Sequence, residues 1–477
     1  MMNFRRIAVM AVVVAASGSA VAIARQPTTA ASAVFTQLAP HKTPYVPLGD
    51  HIASTYFCPG VPAEGDGVEA TVAIANPGES AKQGELTVLS STGAPIKTPV
   101  TIGARATVTF DIAAMVDAPF AGVLVELAGG GAIVEQRAST TAGTSVAACG
   151  NDASTTWFFA DGSTLDNINY DLLLSNPFQD IAVVDLTFVT SGGTSRQPSE
   201  FQSKVIPAGS IISIDLDQIG ARDEELLSIS AVSRRGRFVA AKAQSFDGSG
   251  RTGYNVALGS PTAGDQWYFA DGEKGEGITE TFVLFNPTDE PVDVDLLVLP
   301  TVQPIDSYLA SYTVTVDPLA SVIIDPLVAF PGLADGRYAA VVSTLSQESI
   351  VAERVITRQD GDVRSTSTVL GSRFGSPRWW LPTGVTKATK AALVVFNVTS
   401  LEGTVTVSVV GPGGPVPIDG LTDVPMLPGA VMSLDLDAAE AVGQPVVVSS
   451  ATLQLIVEQR YPRATGDGRG GSLTIPE

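Results

Sequence analysis

One phrase is written four times in this chain, and it fixes the architecture before any other feature is weighed. From Trp267 the sequence runs WYFADGEKGEGITETFVLFNPTDEPVDVDLLVL, and from Trp157 it runs WFFADGSTLDNINYDLLLSNPFQDIAVVDLTFV. More distant copies open at Trp379 and Trp380 (WWLPTGVTKATKAALVVFNVTSLEGTVTVSVV) and at Tyr56 (YFCPGVPAEGDGVEATVAIANPGESAKQGELTVL). The Asn that closes the second strand of each copy falls at Asn76, Asn176, Asn286 and Asn397, an almost constant spacing. A unit of about 100 residues is a domain, able to bury a core of its own. The chain therefore reads as four domains, at 51–153, 154–263, 264–375 and 376–477, after a segment 1–24 and a linker 25–50.

Each copy has the same grammar. A short aromatic strand leads to a Gly-rich or acidic loop, then to an apolar strand that ends at the recurrent Asn. Pro follows that Asn at Pro77, Pro177 and Pro287. Asn caps its own backbone and Pro presets φ, so the pair predicts a tight turn between antiparallel strands. In the fourth copy Val398 replaces the Pro, which predicts a looser turn. An alternating strand follows, then phrases ending at Asp111, Asp215, Asp325 and Asp435, then closing phrases that align Arg137, Lys242, Arg354 and Arg460. That order suggests an Asp to base ion pair inside each domain. Seven or eight short strands per copy, with turns at intervals of roughly 8–12 residues, are the pattern of an all-β chain of immunoglobulin-like β-sandwiches.

The segment 1–24 carries Arg5 and Arg6 and then an apolar run from Ile7 to Ala24, the order of an export signal. Ala20-Val21-Ala22 offers a cleavage site, and the run of about 18 residues is also just long enough to stay as an anchor. Either outcome predicts an extracytoplasmic protein, secreted or held to the membrane by this segment alone. Cys58 and Cys149 lie in the first and last strands of the first copy, so a disulfide is expected in that oxidising compartment.

Several function classes are removed. The formal net charge of -21 argues against a nucleic-acid partner. The two histidines, His41 and His51, lie in the linker and at its junction with the first domain, so the repeats proper, from the opening aromatic on, hold no histidine base or nucleophile partner and no histidine zinc site. Phosphate loops, dinucleotide fingerprints and metalloprotease motifs are missing. No cofactor and no metal is expected. Two features are candidate sites. Trp157, Trp267, Trp379 and Trp380 could be ligand-facing platforms for sugar rings, although an aromatic at one fixed place in each copy is more often a core plug. The loop with Asp271, Glu273 and Glu276 has the oxygens that calcium needs, with a solvated loop as the plain alternative.

The phrases YFCPG, Cys149 followed after a short spacer by WFFADGST, and LLLSNP resemble an uncharacterised actinobacterial family of secreted or membrane-anchored proteins, classed as a domain of unknown function. The WYFADG and Asn-Pro phrases are also similar to β-repeats of bacterial surface proteins. The resemblance implies an exported, cell-envelope setting and transfers no functional residue. The expectation is then a noncatalytic structural or binding protein of the bacterial cell envelope, partnered by an envelope protein or polysaccharide. The alternative is a carbohydrate-binding or carbohydrate-active protein. What distinguishes one copy from its sisters, above all the acidic loop of the third, is the place to look for local function.

Overall fold

Runs of Val, Ile, Leu and Thr punctuated by Gly, Pro and Asn favour strands, and strands are what form. The computed structural model describes residues 44–47, 49–65, 68–191, 193, 195–217, 223–301, 311–346, 348–385, 391–462 and 469–477. The segment 1–24 and the linker as far as 43 lie outside them. No helix among the described residues is long and apolar enough to cross a membrane.

In the first repeat the strands are β1 (Ala53–Pro62), β2 (Glu69–Asn76), β3 (Lys82–Ser90), β4 (Ile96–Ile102), β5 (Ala106–Asp111), β6 (Phe120–Ala128), β7 (Ile133–Ser139) and β8 (Thr144–Ala148). They form two antiparallel sheets, β1-β6-β3-β4 and β5-β2-β7-β8, face to face as a β-sandwich. The same two sheets recur in the other three repeats, with β4 split into two short strands in the second and fourth.

The recurrent Asn explains why the turn after β2 keeps its shape. Asn76, Asn176, Asn286 and Asn397 are fully buried. Each Oδ1 accepts from the amide two residues on (Gly78, Phe178, Thr288, Thr399) at 2.9–3.1 Å. Each Nδ2 donates to the carbonyl four residues on, at 2.7–2.8 Å, and to a carbonyl in the segment leading to the next strand of its sheet. The turn at Val398 is not looser, contrary to expectation. Asn397 makes the full set of bonds, and the amide that Pro would have removed donates to the Gln454 carbonyl at 3.1 Å.

The opening aromatic is equally uniform. Tyr56 Oη and the indole nitrogens of Trp157, Trp267 and Trp379 donate to Ala132, Phe238, Ile350 and Leu455, the carbonyls next to the start of the β7-type strand, at 2.6–3.1 Å. Buried ring and satisfied donor together make each a core anchor.

Sheets buried on one face only would alternate apolar and polar residues, but the β2-type strands do not. Phe282, Val283, Leu284 and Phe285 are all buried, as are Leu393 to Phe396. Both faces are covered because the sheet β1-β6-β3-β4 of one repeat, or its equivalent, packs on the β5-β2-β7-β8 type of the next. Phe158 of the second repeat meets Phe285 of the third, and Tyr268 of the third meets Phe396 of the fourth. The series then closes on itself. Trp380, Val410, Val447 and Ile475 of the fourth repeat form one apolar cluster with Ala75 and Ile133 of the first, and with Val46 ahead of it. Val46 N donates to the Pro476 carbonyl at 2.8 Å. The last long strands, β8, Arg251–Leu258, Val363–Leu370 and Arg469–Leu473, pack in succession about a common axis, the fourth against the first. The residues Lys42–Glu477 are thus one body, a closed ring of four sandwiches.

Candidate functional site

Three of the four joints of the ring hold a buried carboxylate. Glu135, Glu353 and Glu458 hold one equivalent position in the β7-type strand, each opposite the residue three before the Asn. From there each side chain turns toward the preceding repeat. Glu353 accepts from the amides of Ala160 and Asp161 at 3.3 and 3.2 Å and from Lys242 Nζ, all in the second repeat. Glu458 does the same to the third repeat, accepting from Ala270 and Asp271 amides at 2.7 and 3.3 Å and from Arg354 Nη1 and Nη2 at 3.3 and 2.7 Å. Glu135 accepts from the Thr383 hydroxyl of the fourth repeat, where Thr383 stands in place of the Asp. The ADG phrase is therefore a socket for a carboxylate from the next repeat. Burial raises the carboxyls of Glu353 and Glu135, with Lys242 opposing it for the first and Thr383 for the second.

The joint between repeats three and four extends this into a buried cluster. Asp271 bonds Arg460 through two guanidinium nitrogens, Arg358 Nη2 at 3.0 Å and Arg337 Nη1 at 3.3 Å. Glu273 bonds Arg358 and Arg460, each at 2.9 Å. Four acids (Asp271, Glu273, Glu280, Glu458) face four arginines (Arg337, Arg354, Arg358, Arg460). Burial works against an ionised Asp271, but Arg358 and Arg460 hold its carboxyl well below the usual range. Glu280 accepts from Tyr338 Oη at 2.6 Å, and burial pushes it up to about 7 against the pull of Arg354.

These contacts correct three readings of the sequence. Asp271 and Glu273 are not a calcium loop, because guanidinium groups occupy their oxygens, and Glu276 lies exposed in the turn beyond. Among the described residues no group of three His, Cys, Asp or Glu side chains is placed to hold a metal. Trp157, Trp267, Trp379 and Trp380 are not ligand-facing: all four are buried, the first three as anchors and Trp380 in the closing joint. Nor do the four bases share one position. Arg137 and Arg460 lie opposite Thr71 and Ala392, five residues before the Asn, whereas Lys242 and Arg354 lie opposite Leu172 and Phe282, four before it. One residue of shift sends a strand side chain to the opposite face. Lys242, Arg354 and Arg460 pair across joints, while Asp111, Asp215 and Asp325 accept bonds from amides two or three residues on.

Cys58 and Cys149 are joined in a disulfide. They occupy the place where Phe159 packs on Gly259 and Phe269 on Gly371, glycines at which a Cβ would lie 2.7 Å from the ring. The crosslink stands in for a packed ring in the one repeat that has Tyr instead of Trp.

Fold and joints together make this chain a closed ring of tandem β-sandwiches, three of whose joints are locked by a buried carboxylate. The chain belongs to the family of unknown function DUF5719, whose model matches residues 128–260 and 247–469. No curated protein matches it. Among solved structures it is similar to Thermotoga maritima 1070, at 17% identity over 23% of this chain and 95% of that one, with a TM-score of 0.21. It is also similar to the Anabaena sensory rhodopsin transducer, at 20% identity over 21% and 89%, with a TM-score of 0.17. A tetra-tandem repeat in the extending region of a large adhesion protein is similar at 16% identity over 83% and 92%, with a TM-score of 0.12.

Proposed function

We propose that this protein is a noncatalytic structural or binding element of the bacterial cell envelope, working outside the cytoplasm as a rigid closed body. The observation that carries the reading is the use made of its buried charge. Most of its buried acids and bases are matched to one another inside the joints, four against four at the third joint alone, where they hold geometry. The disulfide supports an oxidising compartment. The N-terminal segment, cleaved or retained, is the proposed route out of the cytoplasm, and an envelope protein or polysaccharide is the proposed partner.

Fractionation of cells expressing the full chain, followed by photo-crosslinking in place, tests this. Recovery in the envelope fraction with oxidised cysteines and crosslinks to envelope material is the expected result. Recovery in the cytoplasm with two free thiols would sink it. The carbohydrate-binding alternative is favoured by one observation, an aromatic groove beside the first joint.

A further inference from the structure

The first joint differs from the other three. Ala241 stands where the locking Glu stands elsewhere, and Gly60 takes the place of the socket Asp. A Cβ at Gly60 would lie 2.0 Å from Leu173 Cδ1, so here the two repeats meet through a glycine and an aliphatic side chain. Farther out, each joint pairs the second aromatic of one repeat with the residue before the Asn of the next. The pairs are Phe158 with Phe285, Tyr268 with Phe396, and Trp380 with Ala75. At the first joint the residues at these positions are Phe57 and Ser175, the smallest in total volume. The joint is tight at Gly122, where a Cβ would lie 2.9 Å from Ser175 Oγ, and it opens beyond Phe57.

The opening is a groove of about 760 Å³, within the usual range for small-molecule sites. Its floor is the outer face of the first repeat's β1-β6-β3-β4 sheet, with Phe57 and Leu124 side by side. Its wall is Phe178, whose equivalents in the other repeats are Gly78, Thr288 and Thr399. The Phe178 ring lies 6.4 Å from that of Phe57, and the exposed Arg237 guanidinium stacks 5.0 Å over it. Gly209, at φ 62°, meets Pro95 across the groove.

We propose that this groove binds a short neutral saccharide, which deepens the binding-element reading above and rests on it. The floor is a sheet face, which presents side chains to a ligand and not backbone groups. The half-buried Phe178 ring, with Phe57 packed beneath it, offers an aromatic surface to the C–H side of a sugar ring, and Arg237, Asn151 and Gln179 border it with groups that bond hydroxyls. Lys97, ion-paired with Glu85, and Arg237 face Glu126 and Asp152, so the groove has no excess of positive charge to draw an acidic ligand.

The test is calorimetric titration of the full chain with cellotriose, mannotriose and maltotriose, with a galacturonate trimer and trialanine as comparators. Saturable binding of at least one neutral trisaccharide is expected, weakened about tenfold or more by Phe178→Ala and by Arg237→Ala. Arg237 is exposed in a surface turn, so the melting temperature of its variant should match the parent and separate lost binding from lost fold; Phe178 packs in part on the second repeat's core, so its variant is read beside that of Arg237. No saturable binding by any of the three neutral sugars, tighter binding of the acidic trimer or the peptide, or binding indifferent to both variants overturns the proposal. Envelope crosslinks that persist in any of those cases leave the broader reading standing, so the two failures are distinguishable.

Discussion

Removing the carboxylate of Glu458 should unlock the joint between repeats three and four. Glu458 is 1% exposed and accepts from two backbone amides and from both terminal nitrogens of Arg354, itself 1% exposed. Glu458→Ala leaves that guanidinium in the interior, with only Glu280 Oε1 near its Nε at 3.7 Å. Breaking one side of a buried pair typically costs about 3–5 kcal/mol, most of it from the stranded charge. Glu135→Ala at the equivalent place removes the acceptor of a neutral hydroxyl and not of two guanidinium nitrogens, and about 1 kcal/mol is expected. The measurement is urea denaturation followed by tryptophan fluorescence, since Trp267 and Trp379 are buried on the two sides of the joint. Arg354→Met added to Glu458→Met should recover most of the loss, because an apolar pair strands no charge. If Glu458→Ala falls within about 1 kcal/mol of the parent, or matches Glu135→Ala, the carboxylates are not the locks of the ring.

Reduction of Cys58–Cys149, which closes a separation of 91 residues, should lower stability by about 4–5 kcal/mol in the chain-entropy account. The pair Cys58→Phe with Cys149→Gly should melt higher than the pair Cys58→Ala with Cys149→Ala, since it copies the packing of the second and third repeats. Stability should fall as pH rises from about 5 to 8. Burial pushes Glu280 and Asp171 up to about 7 and Asp217 up to about 6, helped by Asp215 for the two aspartates. Folded carboxyls with raised values hold protons that the unfolded chain has released, so their contribution is complete below pH about 4 and is lost through 6–7. Glu280→Gln should therefore gain up to about 3 kcal/mol at pH 8 and little at pH 4.5, read from melting curves at both. Asn286→Ala strands the carbonyls of Glu290 and Val316 and should cost about 2–3 kcal/mol, measurable by the same denaturation.

Much of the fold was legible because its signals are local. The Asn turn and the opening aromatic satisfy bonds within one repeat, so each copy must spell them out, and four spellings expose the rule. The joints were less legible, because the carboxylate and its socket belong to different repeats and look like ordinary strand and loop residues. Glu353 and Asp161 stand 192 positions apart. Glu353 and Glu458 also follow an apolar residue in phrases where a base attracts attention first. One signal did point outward: FVLF and LVVF are apolar on both strand faces, which requires a second sheet against each. Asp271 misled for a related reason, since an acidic loop reads the same whether metal or arginine fills it, and Arg460 is 189 residues away.

Closure sets a limit on how such a chain can change in evolution. Tandem repeats are prone to gain or lose a unit by unequal recombination, and an open row of domains tolerates either event. Here Val46 meets Pro476 and the fourth repeat covers the sheet of the first. A chain with three or five copies would have to find a new angle at every joint or leave two apolar sheet faces open to water. The number four is therefore held by geometry, and variation is channelled into the loops and into joints such as the first, where a change of side chain leaves the circle intact.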